Sequence, residues 1–344
     1  MSSASTNFAI QRSVDGRPEE GQHGMKTALI CGIGGQDGAY LARLLLSKGY
    51  RVIGTSRDAQ MGRHDNLLEL YIRGSVEIVS MALNDFRSVL QVLAQIKPEE
   101  IYNLAGQSSV SLSFEQPVET LESITTGTLN LLEGIRFFDN SIRLYSAGSS
   151  ECFGNTGNQP ANEETPFRPR SPYAVAKACA ANLVANYREA YQLFACTGLL
   201  FNHESPLRPR RFVTRKIVEA AHRIHAGVES HVTLGNLDIA RDWGWAPDYV
   251  EAMWMMLQAP TALDTVIATG RTVSLRYFVE RSFAHFGLDW KTHVRHDDSL
   301  LRPSDISHTA ADVTMATERL GWTARHSVED VVRMMCEAES RRTR

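Results

Sequence analysis

Residues 27–40 read TALICGIGGQDGAY, and this stretch decides the fold. An apolar run at 27–31 has strand character, glycines follow three apart at 32, 35 and 38, and helical spacing of apolar residues begins at Ala39. Glycines at such a junction let the backbone turn tightly and come close to a ligand, while the amides that open the helix face an anion. A plain flexible connection would also use glycine. The place of the turn, directly after the first strand and at the start of the first helix, favours a phosphate-binding turn.

Working outward, apolar runs at 27–31, 51–55, 76–79, 100–103, 143–147 and 194–200 alternate with helical spacing at 39–48, 86–96, 118–138 and 173–191. Such alternation with short connections predicts an α/β fold built on a doubly wound parallel sheet of the Rossmann type. After Asn202 the texture changes, with helical spacing at 212–226 and 249–257 among mixed elements. We expect a dinucleotide-binding domain over 25–202 and a smaller C-terminal α/β substrate lobe over 203–344, some of whose segments return to the first domain. Residues 1–24 are polar and read as a disordered leader without catalytic groups, with Met25 as an alternative start.

Composition excludes several classes. A formal net charge of −3 offers no basic surface for nucleic acid, and no apolar run approaches the length of a membrane span. Five cysteines lie far apart with no CxxC pair, which points to a reducing cytoplasm. His293, His296, Asp297 and Asp298 lack a further ligand at characteristic spacing, so no metal is expected. Cys152 reads as a packing residue, since no histidine or lysine is close in sequence to activate it.

The second strand ends at Thr55-Ser56-Arg57-Asp58. An arginine here suits the extra phosphate of NADP, because a guanidinium holds phosphate through paired hydrogen bonds, whereas a carboxylate suits the free ribose hydroxyls of NAD. Arg57 favours NADP and Asp58 weakens the case, with an exposed loop ion pair as the alternative reading. Downstream, Tyr173 and Lys177 stand four apart on one helical face behind a Ser171-Pro172 start. A phenol beside an ammonium suits proton abstraction from a hydroxyl, the cation lowering the phenol pKa. Ser149 and Glu151 follow the fifth predicted strand, where a carboxylate can take a proton alpha to a carbonyl; a capping role for the serine is the alternative.

The runs CGIGGQDGAY at 31–40, YNLAGQS at 102–108, SSECFG at 149–154, RPRSPYAVAK at 168–177, FNHESPLR at 201–208, FVTRKI at 212–217 and RDWGWAPDYVEAM at 241–253 resemble the GDP-mannose 4,6-dehydratase family of extended short-chain dehydrogenases/reductases. The first and fourth runs are shared by many extended short-chain enzymes, and the FNHESP, FVTRK and RDWG runs are the specific ones. The resemblance implies NADP held throughout a hydride-out, hydride-back cycle on GDP-mannose, with Tyr173, Lys177, Glu151 and Ser149 as catalytic residues. It implies cofactor contacts from Gly32, Gly35, Gln36, Asp37, Gly38, Arg57, Leu104, Ala105, Gln107, Tyr173, Lys177, Asn202, His203 and Arg208. Substrate contacts would come from Ser108, Ser149, Glu151, Tyr173, Asn202, Lys216, Arg241, Arg302 and Asp305. A homodimer or homotetramer is implied as well.

Departures are visible. The family usually has threonine at Ser149, a glutamate at Asp305, and paired arginines followed by serines where this chain reads SRDAQMGRHDN. A dehydratase acting on a GDP-linked manno-heptose, or a non-catalytic NADP sensor, would share many of these motifs. A sensor, however, has no use for a proton base.

Overall fold

The computed structural model describes residues 25–157, 159–300 and 303–342, so the leader expected over 1–24 lies outside the described residues. In chain order the first strands are β1 (Thr27–Cys31), β2 (Arg51–Ser56), β3 (Glu77–Ser80), β4 (Glu100–Asn103), β5 (Arg143–Ala147) and β6 (Ala195–Leu200). They are followed by β7 (Asn202–Glu204), β8 (Val232–Leu234), β9 (Ala240–Trp245), β10 (Thr265–Ile267), β11 (Thr272–Ser274) and β12 (Val294–His296). The helices used below are α1 (Gln36–Ser47), α2 (Asp65–Glu69), α3 (Phe86–Ile96), α4 (Val110–Glu115), α5 (Pro117–Leu121), α6 (Gly127–Phe138) and α7 (Pro172–Tyr191). To these are added α8 (Val213–His225), α9 (Ala246–Gln258) and α10 (Leu275–His285).

Seven strands form one parallel sheet in the order β10-β6-β5-β4-β1-β2-β3. Strand order reverses between β1 and β4, the point at which open α/β sheets bind ligands beyond their carboxyl ends. Period-two alternation in β1 sends Ala28 and Ile30 into the core under α1 and α9, and Leu29 and Cys31 into the core under α3 and α6. Both faces of the sheet are thus covered, as parallel sheets require.

The lobe rests on a three-stranded sheet, β11-β9-β7, and a two-stranded one, β12-β8. Its separate core gathers Ile217 and Val218 of α8, Trp243 of β9, Phe278 of α10 and Met335 of the C-terminal helix Val328–Arg342. Strand β7 starts two residues after β6 ends and pairs in parallel with β9, so the chain passes straight from one sheet to the other. In the opposite direction, β10 pairs with β6 and α9 packs on α1.

Two expectations needed correction, and two short helices were missed. Helix α1 opens at Gln36, not Ala39, because extended Gly35 is its N-cap and the Gly35 carbonyl already accepts from the Ala39 amide. The single helix expected over 118–138 is α5, a π turn (Glu122–Thr126) and α6. The wide turn brings Ser123 Oγ within 3.3 Å of the Gln107 amide and Ile124 against Gly106, seating the loop after β4. Short helices α2 and α4 were not foreseen, since five or six residues carry too little periodicity.

The turn after β1 depends on two glycines. Gly32 adopts φ +83°, a left-handed conformation that costs other residues free energy, and a Cβ on Gly38 would fall 2.4 Å from the Gly32 carbonyl oxygen and 2.7 Å from Ile33 Cα. Both neighbours are backbone and cannot rotate away. We therefore expect Gly38→Ala to destabilise the fold by about 1–3 kcal/mol, the usual cost of overpacking. Thermal unfolding checks this; an unchanged midpoint would show that the turn relaxes.

Candidate active site

Two cavities meet at the carboxyl ends of the strands. The larger, about 600 Å³, lies over the turn after β1 and is lined by Gly32, Gly35, Gly38, Arg57, Ala105 and Gln107. The smaller, about 360 Å³, holds Ser149, Glu151, Tyr173 and Lys177 together with Asn202 and His203. Asp37, Leu104, Ser108, Arg208, Arg211 and Phe212 line both, so the two form one crevice.

Local sequence explains each placement. Ser171 Oγ accepts from the Ala174 amide at 3.1 Å and Pro172 occupies the first helical position, which starts α7 where Tyr173 and Lys177 face the crevice one turn apart. Lys177 Nζ donates to the Ala147 carbonyl at 2.6 Å, at the end of β5. Ser149 Oγ accepts from the Glu151 amide at 3.3 Å, capping a short 3-10 turn (Ser150–Phe153), and also hydrogen-bonds Tyr173. The capping and catalytic readings of Ser149 are therefore compatible.

Electrostatics depart from expectation at the Tyr–Lys pair. Burial raises the Tyr173 phenol, and the hydrogen bond with Ser149 offsets only part of the rise. Lys177 Nζ lies 5.9 Å from the centre of the Tyr173 ring. Burial pushes the Lys177 ammonium itself down to about 8. Cys152 is buried and pushed up to about 12 by that burial, which suits the packing role read from the sequence.

One strap joins the two halves of the crevice. Asp37 Oδ2 stands 2.9 Å from His203 Nε2, while Gln36 Nε2 donates to the His203 carbonyl at 3.2 Å and Gln36 Oε1 accepts from Ser205 Oγ at 2.7 Å. Burial alone would raise Asp37, but His203, Gln36 and Arg208 outweigh it and hold the carboxyl at about 2. Burial disfavours a charged His203, yet Asp37 outweighs it and the net displacement is upward.

Other expected residues fall as follows. The Gln36 side chain is committed to His203 and Ser205, and Gln107 bonds the Ser109 carbonyl at 2.7 Å and Thr120 at 3.2 Å, so for both the backbone faces a ligand more readily than the side chain. Lys216 Nζ donates to the Thr233 carbonyl at 2.7 Å at the rim of the smaller cavity. Buried Arg241 donates to the Ile306 carbonyl at 2.7 Å and lies 3.7 Å from Asp305, both on the same cavity wall. Arg302 lies outside the described residues.

Arg57 and Asp58 have different partners. Asp58 Oδ1 accepts from the Gln60 and Met61 amides at 3.0 and 2.9 Å, folding into its own turn, and Arg57 lies 3.6 Å from Glu119. The alternative of an ion pair between the two is not formed; Arg57 pairs with Glu119 instead. Sequence reading missed Arg211 and His64, both lining the crevice. The run Arg208-Pro209-Arg210-Arg211 was a signal for the first; nothing local marked the second.

The turn fits a dinucleotide, because its backbone cradle at Gly32 and Gly38 has no room for side chains and opens onto a cavity of that scale. Among the described residues no group of three or more candidate ligands could hold a metal ion, and no helix is long and apolar enough to cross a membrane. Fold and site together define an extended short-chain dehydrogenase/reductase.

Within that class the chain belongs to the GDP-mannose 4,6-dehydratase family: the family model described as GDP-mannose 4,6 dehydratase matches residues 29–335. It is 45% identical to GDP-mannose 4,6 dehydratase 1 of Arabidopsis thaliana over 91% of this chain and 90% of that protein. It is 42% identical to GDP-mannose 4,6 dehydratase of Homo sapiens, covering 91% of each. Solved structures with the same fold include UDP-glucose 4-epimerase of Thermotoga maritima, with TM-score 0.82, 22% identity, and coverage of 92% of this chain and 100% of that one. The dTDP-glucose 4,6-dehydratase DesIV of Streptomyces venezuelae gives TM-score 0.81, 20% identity, and coverage of 92% and 97%.

The Asp37–His203 pair yields a pH prediction. Asp37 is lowered from 3.8, so its contribution is present above about 4 and lost as pH falls toward 2; His203 is raised from 6.5, so its contribution is complete below about 6.5 and lost as pH rises through the raised value. The difference in unfolding temperature between the native chain and Asp37→Asn should be largest between about pH 4 and 6.5 and shrink above it. A difference that stays flat or grows up to pH 9 contradicts this.

Proposed function

We propose that this chain binds NADP and converts GDP-D-mannose to GDP-4-dehydro-6-deoxy-D-mannose, with Ser149, Glu151, Tyr173 and Lys177 as its catalytic residues. It is a nucleotide-sugar hydro-lyase of its family. One observation carries the assignment: a carboxylate, Glu151, lines the same small cavity as the Tyr173–Lys177 pair. Oxidation at carbon 4 needs only the pair. Elimination across carbons 5 and 6 needs a second base.

Tyr173 takes the proton of the sugar 4-hydroxyl. Lys177, half-buried and fixed on the Ala147 carbonyl, holds positive charge near the phenol as that proton moves. A nicotinamide cofactor held over Gly32, Gly35 and Gly38 would supply the hydride acceptor at carbon 4 and the hydride donor at carbon 6. Once carbon 4 is a ketone, Glu151 removes the acidified proton from carbon 5. Ser149 and Glu151 then supply the proton with which the carbon 6 hydroxyl leaves as water, and when carbon 6 regains its hydride the proton held by Tyr173 returns to carbon 5. The sum is one water lost and no net oxidation.

Lys216 and Arg241, with Arg302, supply positive charge for the diphosphate, and Asn202, Ser108 and Asp305 supply polar contacts to the nucleotide sugar. Preference for NADP is supported by Arg57 at the tip of β2 and by the commitment of Asp58 to its own turn. We assign 25–202 mainly to the cofactor and the later lobe mainly to the nucleotide sugar. Free cysteines at all five positions support a reducing cytoplasm. Exposed Val118 and Leu121 on α5 and Val175 on α7, two helices packed together, support a homodimer or homotetramer. A monomeric native mass contradicts that last assignment.

Incubation with GDP-mannose should give a product lighter by one water, and Ser149→Ala should slow its formation by about 10²-fold or more, with Ser149→Thr restoring most of it. Mass spectrometry reads both. No dehydrated product from well-folded protein, or a fully active alanine variant, would overturn the assignment or the role of Ser149 respectively.

A further inference from the structure

The last residue of β7, Glu204, is a carboxylate in the wall of the smaller cavity, and only 1% of its surface is exposed. It takes no part in the oxidation or the elimination. Its Oε2 accepts from Thr214 Oγ1, in the first turn of α8, at 2.6 Å and lies 3.1 Å from Arg208 Nε. A carboxylate buried so deeply is costly unless it is paired and hydrogen-bonded, and Arg208 and Thr214 meet both needs.

Arg208 is held on a second side as well. Its guanidinium carbon lies 3.7 Å from the centre of the Phe212 ring, within the range for a cation over an aromatic face. The carboxylate thus takes the Nε side and the ring takes one face. The two terminal nitrogens, Nη1 and Nη2, have no hydrogen-bond partner among the described residues, and neither is sealed from the crevice. Arg208 lines both cavities, so this free edge stands where the cofactor side and the sugar side meet. Arg210, by contrast, is tied back to Glu219 of α8 at 3.0 Å.

Two parallel N–H groups of a guanidinium match two oxygens of one phosphate, and fixing such a fork beforehand cuts the cost of ordering it when the anion arrives. We propose that Glu204 is a positioning residue: with Phe212 it fixes Arg208 so that the terminal nitrogens meet a ligand diphosphate at the junction of the two cavities. This rests on the reading given above, in which the crevice takes both NADP and a GDP-sugar.

The test measures binding, not turnover. Dissociation constants for NADP+ and for GDP are determined by calorimetry on the native chain, Glu204→Gln, Arg208→Gln and the double variant, with thermal unfolding of each protein without added nucleotide as a check on folding. Glu204→Gln keeps an acceptor for Thr214 and removes the charge beside Arg208. It should weaken by about tenfold or more the ligand whose diphosphate lies at the junction, NADP+, GDP or both, in keeping with a misplaced charge-assisted contact. In the Arg208→Gln background the same change should add less than about twofold, because residues that act through one another are not additive. Phe212→Leu, which leaves the buried ion pair in place, should weaken the same ligand; should Glu204→Gln fail to fold, unaltered binding by Phe212→Leu overturns the proposal. Native affinity for both ligands in folded Glu204→Gln, or an equal loss with and without Arg208, makes Glu204 structural and overturns its role while the functional reading stands. A native chain that binds neither NADP+ nor GDP overturns both.

Discussion

The ion pair between Asp37 and His203 is the constraint on which the rest of the crevice depends. Asp37 belongs to the first turn of α1, and His203 to β7, where the chain has just left the large sheet for the small one. Their 2.9 Å contact, backed by Gln36 on the His203 carbonyl and on Ser205, fixes the cofactor turn against the entrance to the lobe. Gly32 and Gly38 let the turn close. Tyr249 stacks on the His203 ring at 4.6 Å, so α9 seals the pair from behind. Were that strap to slip, the two cavities would no longer share Asp37, Arg208 and Phe212.

The chemistry follows from burial working in opposite directions on two neighbours. It raises the phenol of Tyr173 and lowers the ammonium of Lys177, so each is displaced toward its uncharged form. Lys177, brought down to about 8, can exchange a proton near neutrality, whereas the raised Tyr173 phenol stays protonated until a charge or partner beside it favours phenolate. Glu151 shares the cavity one short turn after β5, held there by the Ser149 cap. The first turn of α7 carries Tyr173 and a 3-10 turn carries Glu151.

Much of this was legible in the sequence because strands buried on both faces and a glycine turn leave strong local marks. Strands β1, β4 and β5, helix α3, and the spacing of Tyr173 and Lys177 were read within their observed bounds. What escaped was set by tertiary contact. The π turn within 122–126 depends on packing against Gly106, and the start of α1 depends on the extended conformation of Gly35. Likewise the displacement of Tyr173 depends on how deeply α7 is buried, and the place of His64 on a left-handed residue that no pattern announces. Motif spacing singled out candidate residues; it could not say which of their side chains were already engaged, as with Gln36 and Asp58.

The central claim is that one cavity carries two separable bases, Tyr173 for oxidation and Glu151 for elimination. The most direct measurement is a single turnover of Glu151→Gln with GDP-mannose, followed by nicotinamide absorbance and by mass spectrometry of the sugar. The account predicts reduced cofactor that accumulates on the protein and almost no dehydrated product, since a general base contributes about 10²–10⁴-fold. Normal turnover, or a cofactor that stays oxidised although substrate binds, would contradict it.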